Sequence, residues 1–285
     1  MTVISTMTVN ELYNLGKKKL SEACIEDFEF DSRCLLEFCL SIGTTVFFLS
    51  RNNAVDSETE KEYFRLIERR TAGEPLQYIL GKWEFMGLPF YVGEGVLIPR
   101  PETELLVEFA VDFLKDKKNP IVFDLCSGSG CIAISVAKLV KNASVFAVEK
   151  SSEAFGYLEK NISLNSADNV TALNWDIFDK NILCNVAPDI ILSNPPYIRS
   201  EDINTLQLEV RKEPVMALDG GDDGYDFYRE LADNWLVRLS DSGAIAVECA
   251  EDQTETISKM FGKVGKKISV INDLSGLPRV VTAHK

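Results

Sequence analysis

The chain has 285 residues, too long for one ordinary domain of roughly 100–200 residues and comfortable for two. Apolar residues make up 46% and charged residues 26%, the balance of a soluble globular chain long enough to bury a sizeable core. Thirty Lys and Arg stand against 44 Asp and Glu, a formal charge of −14, which argues against a broad phosphate-neutralising surface and against a polybasic membrane anchor. There is one histidine, His284, so a His-based triad, a His-rich metal site and an internal imidazole base are set aside, and no metal site is expected. The seven cysteines are odd in number and none forms a Cys-x-x-Cys pair, which argues for buried thiols in a reducing cytosol over disulfides or zinc. No apolar leader stands near the start, where the first basic residue is Lys17, and no uncharged run of about 18 apolar residues exists; neither a signal peptide nor a membrane span is predicted.

The N-terminal third reads as short amphipathic helices. Thr8 can cap a helix through Leu12, Leu15 and Leu20. Asp31 can cap a second with Leu35, Phe38 and Cys39 on one face, and Asp56 a third carrying Tyr63, Phe64 and Ile67 and ending near Gly73. From Leu76 to Leu97, aromatic and β-forming residues broken by glycines and Pro89 predict two short hairpin strands and a domain junction. After Pro99 strand and helix alternate. Glu102–Leu114 has helical rows (Leu105, Phe109, Phe113 and Leu106, Ala110, Leu114). Ile121–Cys126, Ser144–Val148, Val170–Asn174, Ile190–Ser193 and Ala244–Glu248 read as strands, with helices at Cys131–Val140 and Glu153–Leu164. Near-continuous apolar strands separated by helices predict a parallel sheet covered on both faces, and Ile268–Ile271 with Val280–Thr282 an antiparallel edge hairpin.

Asp124-Leu125-Cys126-Ser127-Gly128-Ser129-Gly130 follows the first of these strands and opens a helix. Gly128 and Gly130 permit a tight turn and close approach of a ligand, because no Cβ intervenes. Glu149 stands at the end of the second strand, where a carboxylate can accept both hydroxyls of a nucleoside ribose. The spacing Gly128-x-Gly130-x-x-Ala133 also fits a dinucleotide fingerprint, so the loop alone leaves a nicotinamide oxidoreductase open. Asn194-Pro195-Pro196-Tyr197 ends the fourth strand. The prolines stiffen the turn and remove two amide donors. The side-chain oxygen of Asn194 and the carbonyl of Pro195 can hold the two hydrogens of a planar NH₂ group, while Tyr197 lies against it. Catalysis then comes from orientation, with no charged base.

Together Asp-x-x-x-Gly-x-Gly at 124–130, Glu149, Asp176 and Asn194–Tyr197 resemble class I S-adenosylmethionine-dependent methyltransferases that modify planar amino groups. Three flanking strings are similar to the release factor glutamine methyltransferases (the PrmC/HemK family): Gly73-Glu74-Pro75-Leu76-Gln77-Tyr78-Ile79-Leu80-Gly81, Val96-Leu97-Ile98-Pro99-Arg100-Pro101-Glu102-Thr103-Glu104, and Glu213–Gly224. The likeness runs from about residue 8 to about 283.

The resemblance implies a Rossmann-like, doubly wound, seven-stranded α/β methyltransferase sheet, mostly parallel with an antiparallel edge hairpin, beside a small N-terminal helical domain. It implies a helical substrate-docking domain at 1–75, a β-hairpin linker at 76–98 and a methyltransferase domain at 99–285. The implied activity is methylation of the side-chain amide nitrogen of the glutamine in the Gly-Gly-Gln loop of peptide-chain release factors, with S-adenosyl-L-methionine as methyl donor. By matching position Asp124, Leu125, Cys126, Ser127, Gly128 and Gly130 line the donor, Glu149 binds its ribose, Asp176 and Ile177 sit by its adenine, and Asn194 adjoins it. Asn194, Pro195, Pro196 and Tyr197 bind the glutamine amide, with Asn194, Pro195 and Tyr197 the catalytic set.

Cys126 departs from the family, which usually has glycine there. Its side chain is tolerated if the residue keeps an ordinary negative φ, and nothing basic nearby would make it a reactive thiolate. Arg100 and Glu102 read equally as pocket residues or as helix-start residues, and Asp219–Asp226 reads as a solvated acidic loop more readily than as a lid. The expected protein is a cytoplasmic monomer that binds release factors, no membrane and no nucleic acid directly. The rivals are an amino methyltransferase of adenine or guanine in nucleic acid, for which residues 1–98 (10 basic, 15 acidic) lack the basic surface, and a non-catalytic nucleoside-binding module. The acidic charge could steer the enzyme toward basic surface on a release factor.

Overall fold

The computed structural model describes residues 4–179, 181–265 and 267–285. They form two compact units: the residues up to Gly81 together with Leu208–Lys212, and Lys82–Gln207 together with Glu213–Lys285.

In the first unit β1 (Ile4–Thr8) leads into α1 (Val9–Glu22), followed by α2 (Phe28–Leu40), α3 (Thr44–Leu49), β2 (Ala54–Asp56), α4 (Ser57–Thr71) and α5 (Leu76–Leu80). Thr8 caps α1 through a reciprocal box with Glu11, and Asp56 caps α4 by accepting the N–H groups of Glu58 and Thr59, as the sequence predicts. Leu12, Leu20, Leu35, Leu36, Tyr63, Leu66 and Ile67 fill the core between these helices. Asp31 does not cap α2. It lies inside the helix, 3% exposed, and accepts from Arg70 Nε at 2.6 Å. Arg70 also donates to Glu209 at 2.6 Å and to the Glu74 carbonyl at 3.2 Å. Phe38, expected on the inner face, is 48% exposed, and Leu36 takes the buried place beside Leu35. Leu76–Leu80 is helical, closed by Gly81 in the left-handed region, so the hairpin begins later than its β-forming residues suggest.

The second unit opens with that hairpin, β3 (Lys82–Phe85) and β4 (Leu88–Tyr91), paired antiparallel. A short 3₁₀ turn at Pro101–Thr103 leads into α6 (Glu104–Leu114). Then come β5 (Ile121–Leu125), α7 (Cys131–Leu139), β6 (Ser144–Glu149), α8 (Ser152–Asn165), β7 (Val170–Asn174), β8 (Ile190–Ser193), α9 (Asp226–Glu230), β9 (Ala244–Glu248), α10 (Thr254–Phe261), β10 (Lys267–Asn272) and β11 (Pro278–His284). Seven strands form one sheet in the order β10-β11-β9-β8-β5-β6-β7. The five strands from β9 to β7 are parallel, and β11 runs antiparallel to both β9 and β10. This is the doubly wound, seven-stranded sheet with an antiparallel edge that the sequence predicts.

Alternation along each strand sorts the core into two layers. Val122, Ile190, Leu192 and Ala246 meet Leu106, Ala110, Ile134 and Leu158. Phe123, Leu125, Ile191 and Val247 meet Tyr228, Leu231, Trp235, Ile257 and Phe261. His284 stands edge-on to the Phe109 and Phe113 rings, and burial lowers its pKa. The chain leaves β5 toward β6 and β7, then returns to place β8 on the other side of β5. The carboxyl ends of β5, β6 and β8 therefore flank the crevice where open α/β sheets bind ligands.

Candidate active site

A cleft opens at this switch point. Its wall includes Cys126, Ser127 and Gly128 after β5, Glu149 at the end of β6, Asp176 and Ile177 after β7, and Asn194 after β8. Pro196 also lines it; Pro195 is buried beside it and Tyr197 packs its side chain against the second apolar layer. Residues separated by as many as 68 positions thus meet because their strands are neighbours and parallel.

Three of the predicted loop residues lie behind the wall. Asp124 is fully buried; its Oδ2 accepts the Ala133 N–H at 3.0 Å, holding the first turn of α7, and Oδ1 has no partner among the described residues. Burial pushes its pKa up to about 8, so near neutral pH the group keeps a proton. Leu125 points into the core. Gly130 sits at φ +81°, and a Cβ there would meet Leu158 Cδ1 at 2.3 Å; packing demands this glycine. Gly128 differs: at φ +54° a Cβ would meet nothing within 4 Å, so its bare backbone faces open space.

Glu149 ties the loop to β6. Its Oε2 accepts the Gly128 N–H at 2.8 Å and its Oε1 the Ser151 N–H at 2.7 Å. Burial raises its pKa, and these backbone bonds pull it back. Asp176 accepts from the Phe178 N–H at 3.0 Å and pairs with Lys150 at 2.8 Å. Trp175 and Phe178, each more than two-fifths exposed, add aromatic surface beside Ile177.

Cys126 has φ +62°. The ordinary negative φ expected for a side chain there is not kept; the turn demands the left-handed region although the residue is not glycine. Burial pushes its thiol well above the usual range, and the Glu149 and Asp124 carboxyls add to the shift, so the thiol stays protonated.

The Asn-Pro-Pro-Tyr turn is held from several sides. Ser193 Oγ donates to the Leu125 carbonyl at 2.6 Å. Gln253 Nε2 donates to the carbonyls of Tyr197 (3.0 Å) and Gly224 (3.2 Å). A Cβ on Gly220 would lie 2.8 Å from Tyr197 Cα, and one on Gly224 2.6 Å from the Tyr197 carbonyl oxygen. Asp222, Asp223 and Asp226 are exposed, as expected of a solvated acidic loop, while at Gly220 and Gly224 the segment packs backbone on backbone behind the turn. Asn194 Nδ2 donates to Thr103 Oγ1 at 3.1 Å, and Thr103 Oγ1 donates to Glu248 Oε2 at 2.6 Å. Arg100 lines the cleft and pairs with buried Glu213, which also accepts the Ile98 N–H at 2.9 Å, while Glu102 is half-buried. Thr103, Glu213 and Glu248 were not singled out from sequence. The available signal for Glu248 is a carboxylate closing a fully apolar strand.

Over 98% of its length the chain is 36% identical to the release factor glutamine methyltransferase of Clostridium botulinum, all of which it spans (100%). The chain belongs to this family. The release factor glutamine methyltransferase of Thermodesulfovibrio yellowstonii is 38% identical over 83% of the chain and 85% of that protein. Residues 11–81 match the family model of the PrmC N-terminal domain, and residues 111–217 that of the TRM5/TYW2 methyltransferase domain. The crystal structure of a methyltransferase from Pyrococcus furiosus shares the fold (TM-score 0.51, 19% identity, 70% of this chain and 90% of that one). The release factor methyltransferase sheet described above is therefore that of a protein-modifying transferase. Among its described residues no helix is long and apolar enough to cross a membrane.

Proposed function

We propose that the enzyme transfers a methyl group from S-adenosyl-L-methionine to the side-chain amide nitrogen of the glutamine in the Gly-Gly-Gln loop of peptide-chain release factors. The cleft fits that donor. Gly128 leaves open the space a Cβ would take, Glu149 offers a carboxylate for ribose hydroxyls, and Ile177, Trp175 and Phe178 offer apolar surface for a base. The observation that carries the reading is Asn194, held in the cleft wall by a stiff turn on the same side of the sheet as Glu149.

When bound, the donor supplies an electrophilic sulfonium methyl. Asn194 Oδ1 and the Pro195 carbonyl accept the two N–H groups of the glutamine amide and aim its nitrogen into the cleft, with Pro196 and Tyr197 completing the grip. A planar amide is a weak nucleophile, so orientation and electrostatics do the work. The proton is lost to solvent, since among the described residues no strong base adjoins Asn194.

The segment 1–75 docks the release factor, 76–98 links, and 99–285 carries the chemistry. Exposed Phe38, Phe48 and Leu49 on the helical unit support such docking. The enzyme works as a cytoplasmic monomer without direct nucleic-acid binding, in keeping with its charge of −14. Labelled donor offered with release factors, tRNA, rRNA and DNA tests the reading: label is expected on a release factor, and label on nucleic acid alone would overturn it. Asn194→Ala is expected to bind donor and lose turnover.

A further inference from the structure

The side-chain amide of Asn194 has two unlike limbs, and only one suits an amide NH₂ substrate. An oxygen facing the substrate accepts its N–H; an NH₂ facing it opposes donor to donor. What fixes the choice lies behind Asn194, on two buried residues from other elements. Thr103, at the entry to α6, is 2% exposed, and Glu248, at the end of β9, is 3% exposed.

A hydroxyl has one proton and a carboxylate none to give. When Glu248 is ionised, the proton of Thr103 is committed to Glu248 Oε2 at 2.6 Å. Thr103 Oγ1 can then only accept from its other neighbour, so Asn194 presents Nδ2 to it, at 3.1 Å. The amide oxygen, on the opposite limb of the same plane, is turned away from Thr103. If Glu248 holds a proton the chain reverses without losing a bond: Glu248 O–H donates to Thr103 Oγ1, Thr103 O–H donates to Asn194 Oδ1, and the NH₂ turns outward.

We propose that Thr103 and Glu248 are positioning residues whose hydrogen-bond chain sets the polarity of the Asn194 amide, and that protonation of Glu248 reverses it and switches off amide capture. The inference rests on the reading of Asn194 as the acceptor of the substrate amide. Burial pushes Glu248 up to about 7, against the Thr103 hydrogen bond, so both chain directions are accessible around neutral pH. Glu102 opposes its ionisation from the segment before α6; Arg100 from that segment and Arg279 from β11 favour it. Tyr197 after β8, Cys131 on α7 and the neighbouring Cys249 also face it, all three held neutral by pKa values pushed up through burial. Tyr228 from α9 donates to its backbone carbonyl at 2.7 Å. Ionised Glu248 is therefore the active form, and turnover falls as pH drops through about 7.

The test measures kcat, KM for donor and pH profiles on the full-length enzyme with a release factor. Thr103→Val, nearly isosteric, is expected to lower kcat roughly tenfold to a hundredfold, the effect of losing one positioned hydrogen bond, with donor KM unchanged. Thr103→Ser is expected to recover most of that loss and keep the acid limb. Glu248→Gln, which can accept or donate, is expected to lower kcat and abolish the acid limb. Wild-type kcat in Thr103→Val, or an unaltered acid limb in Glu248→Gln, would overturn the chain's role. Should Glu248→Gln not fold, the Thr103 pair decides alone. Asn194→Ala separates the two claims: if it is inactive while Thr103→Val is normal, the chain fails and the reading of Asn194 stands. If Asn194→Ala keeps full turnover, both fail.

Discussion

Cys126 offers a measurement of the strain built into the cofactor loop. An L-residue in the left-handed region costs roughly 1–2 kcal/mol because its Cβ crowds the following carbonyl. Cys126 sits there at φ +62°. Replacing it by alanine keeps the Cβ and the strain while removing the half-buried sulfur. Replacing it by glycine removes both, but gives the unfolded chain more freedom, a penalty of about 0.5–1 kcal/mol. The difference between the two variants cancels the sulfur and leaves strain relief less entropy. Cys126→Gly should therefore exceed Cys126→Ala in stability by about 0.5–1 kcal/mol. In a unit of this size 1 kcal/mol moves Tm by roughly 2–4 °C, so the gap is about 1–4 °C. Calorimetry on both variants, with the transition of the sheet-containing unit resolved from that of the helical one, reads it directly. An alanine variant more stable than the glycine variant by the whole entropic penalty of about 0.5–1 kcal/mol would show that the loop carries no left-handed strain at this position.

Two other perturbations test the scaffold around the site. Asp31→Ala leaves buried Arg70 with only the partly exposed Glu209 as charge partner, and should destabilise the helical unit by roughly 3 kcal/mol, seen as a lower urea midpoint for that unit's transition. Gly224→Ala places a Cβ 2.6 Å from the Tyr197 carbonyl at a backbone φ of +78°, so the Asn-Pro-Pro-Tyr turn must shift. Turnover should fall roughly a hundredfold while calorimetric donor binding is little changed; a normal kcat would show that the glycine loop does not hold the turn.

Local periodicity made the sheet legible, because inner parallel strands buried on both faces must be apolar almost throughout, and Ala244–Glu248 or Ile190–Ser193 has no other comfortable fold. Capping was legible where the partner is three residues away, as at Thr8 and Asp56. It failed at Asp31, which looks like a cap from its neighbours but answers to Arg70, 39 positions along. The same rule sorts Leu76–Leu80, whose β-forming residues yield to tertiary context. Burial of Leu125 and Asp124 behind the loop, and the positive φ of Cys126, depend on how β5 ends against β6, which no window of sequence contains.

The candidate site divides along that line. Its front is written in short strings, Ser127-Gly128 and Asn194–Tyr197, because a tight turn or a stiff one needs particular residues next to each other. Its back is written across the fold: Thr103 reaches Asn194 over 91 positions and Glu248 over 145. That separation follows from the chemistry. A chain with one histidine, remote from the cleft at the end of β11, has no internal imidazole to move protons. Control of an amide by its hydrogen-bond polarity suits such a chain, and polarity is set by a proton count at the far end of a chain of donors. Glu248, buried where a carboxylate gains or loses its proton near neutrality, supplies that count without touching the substrate.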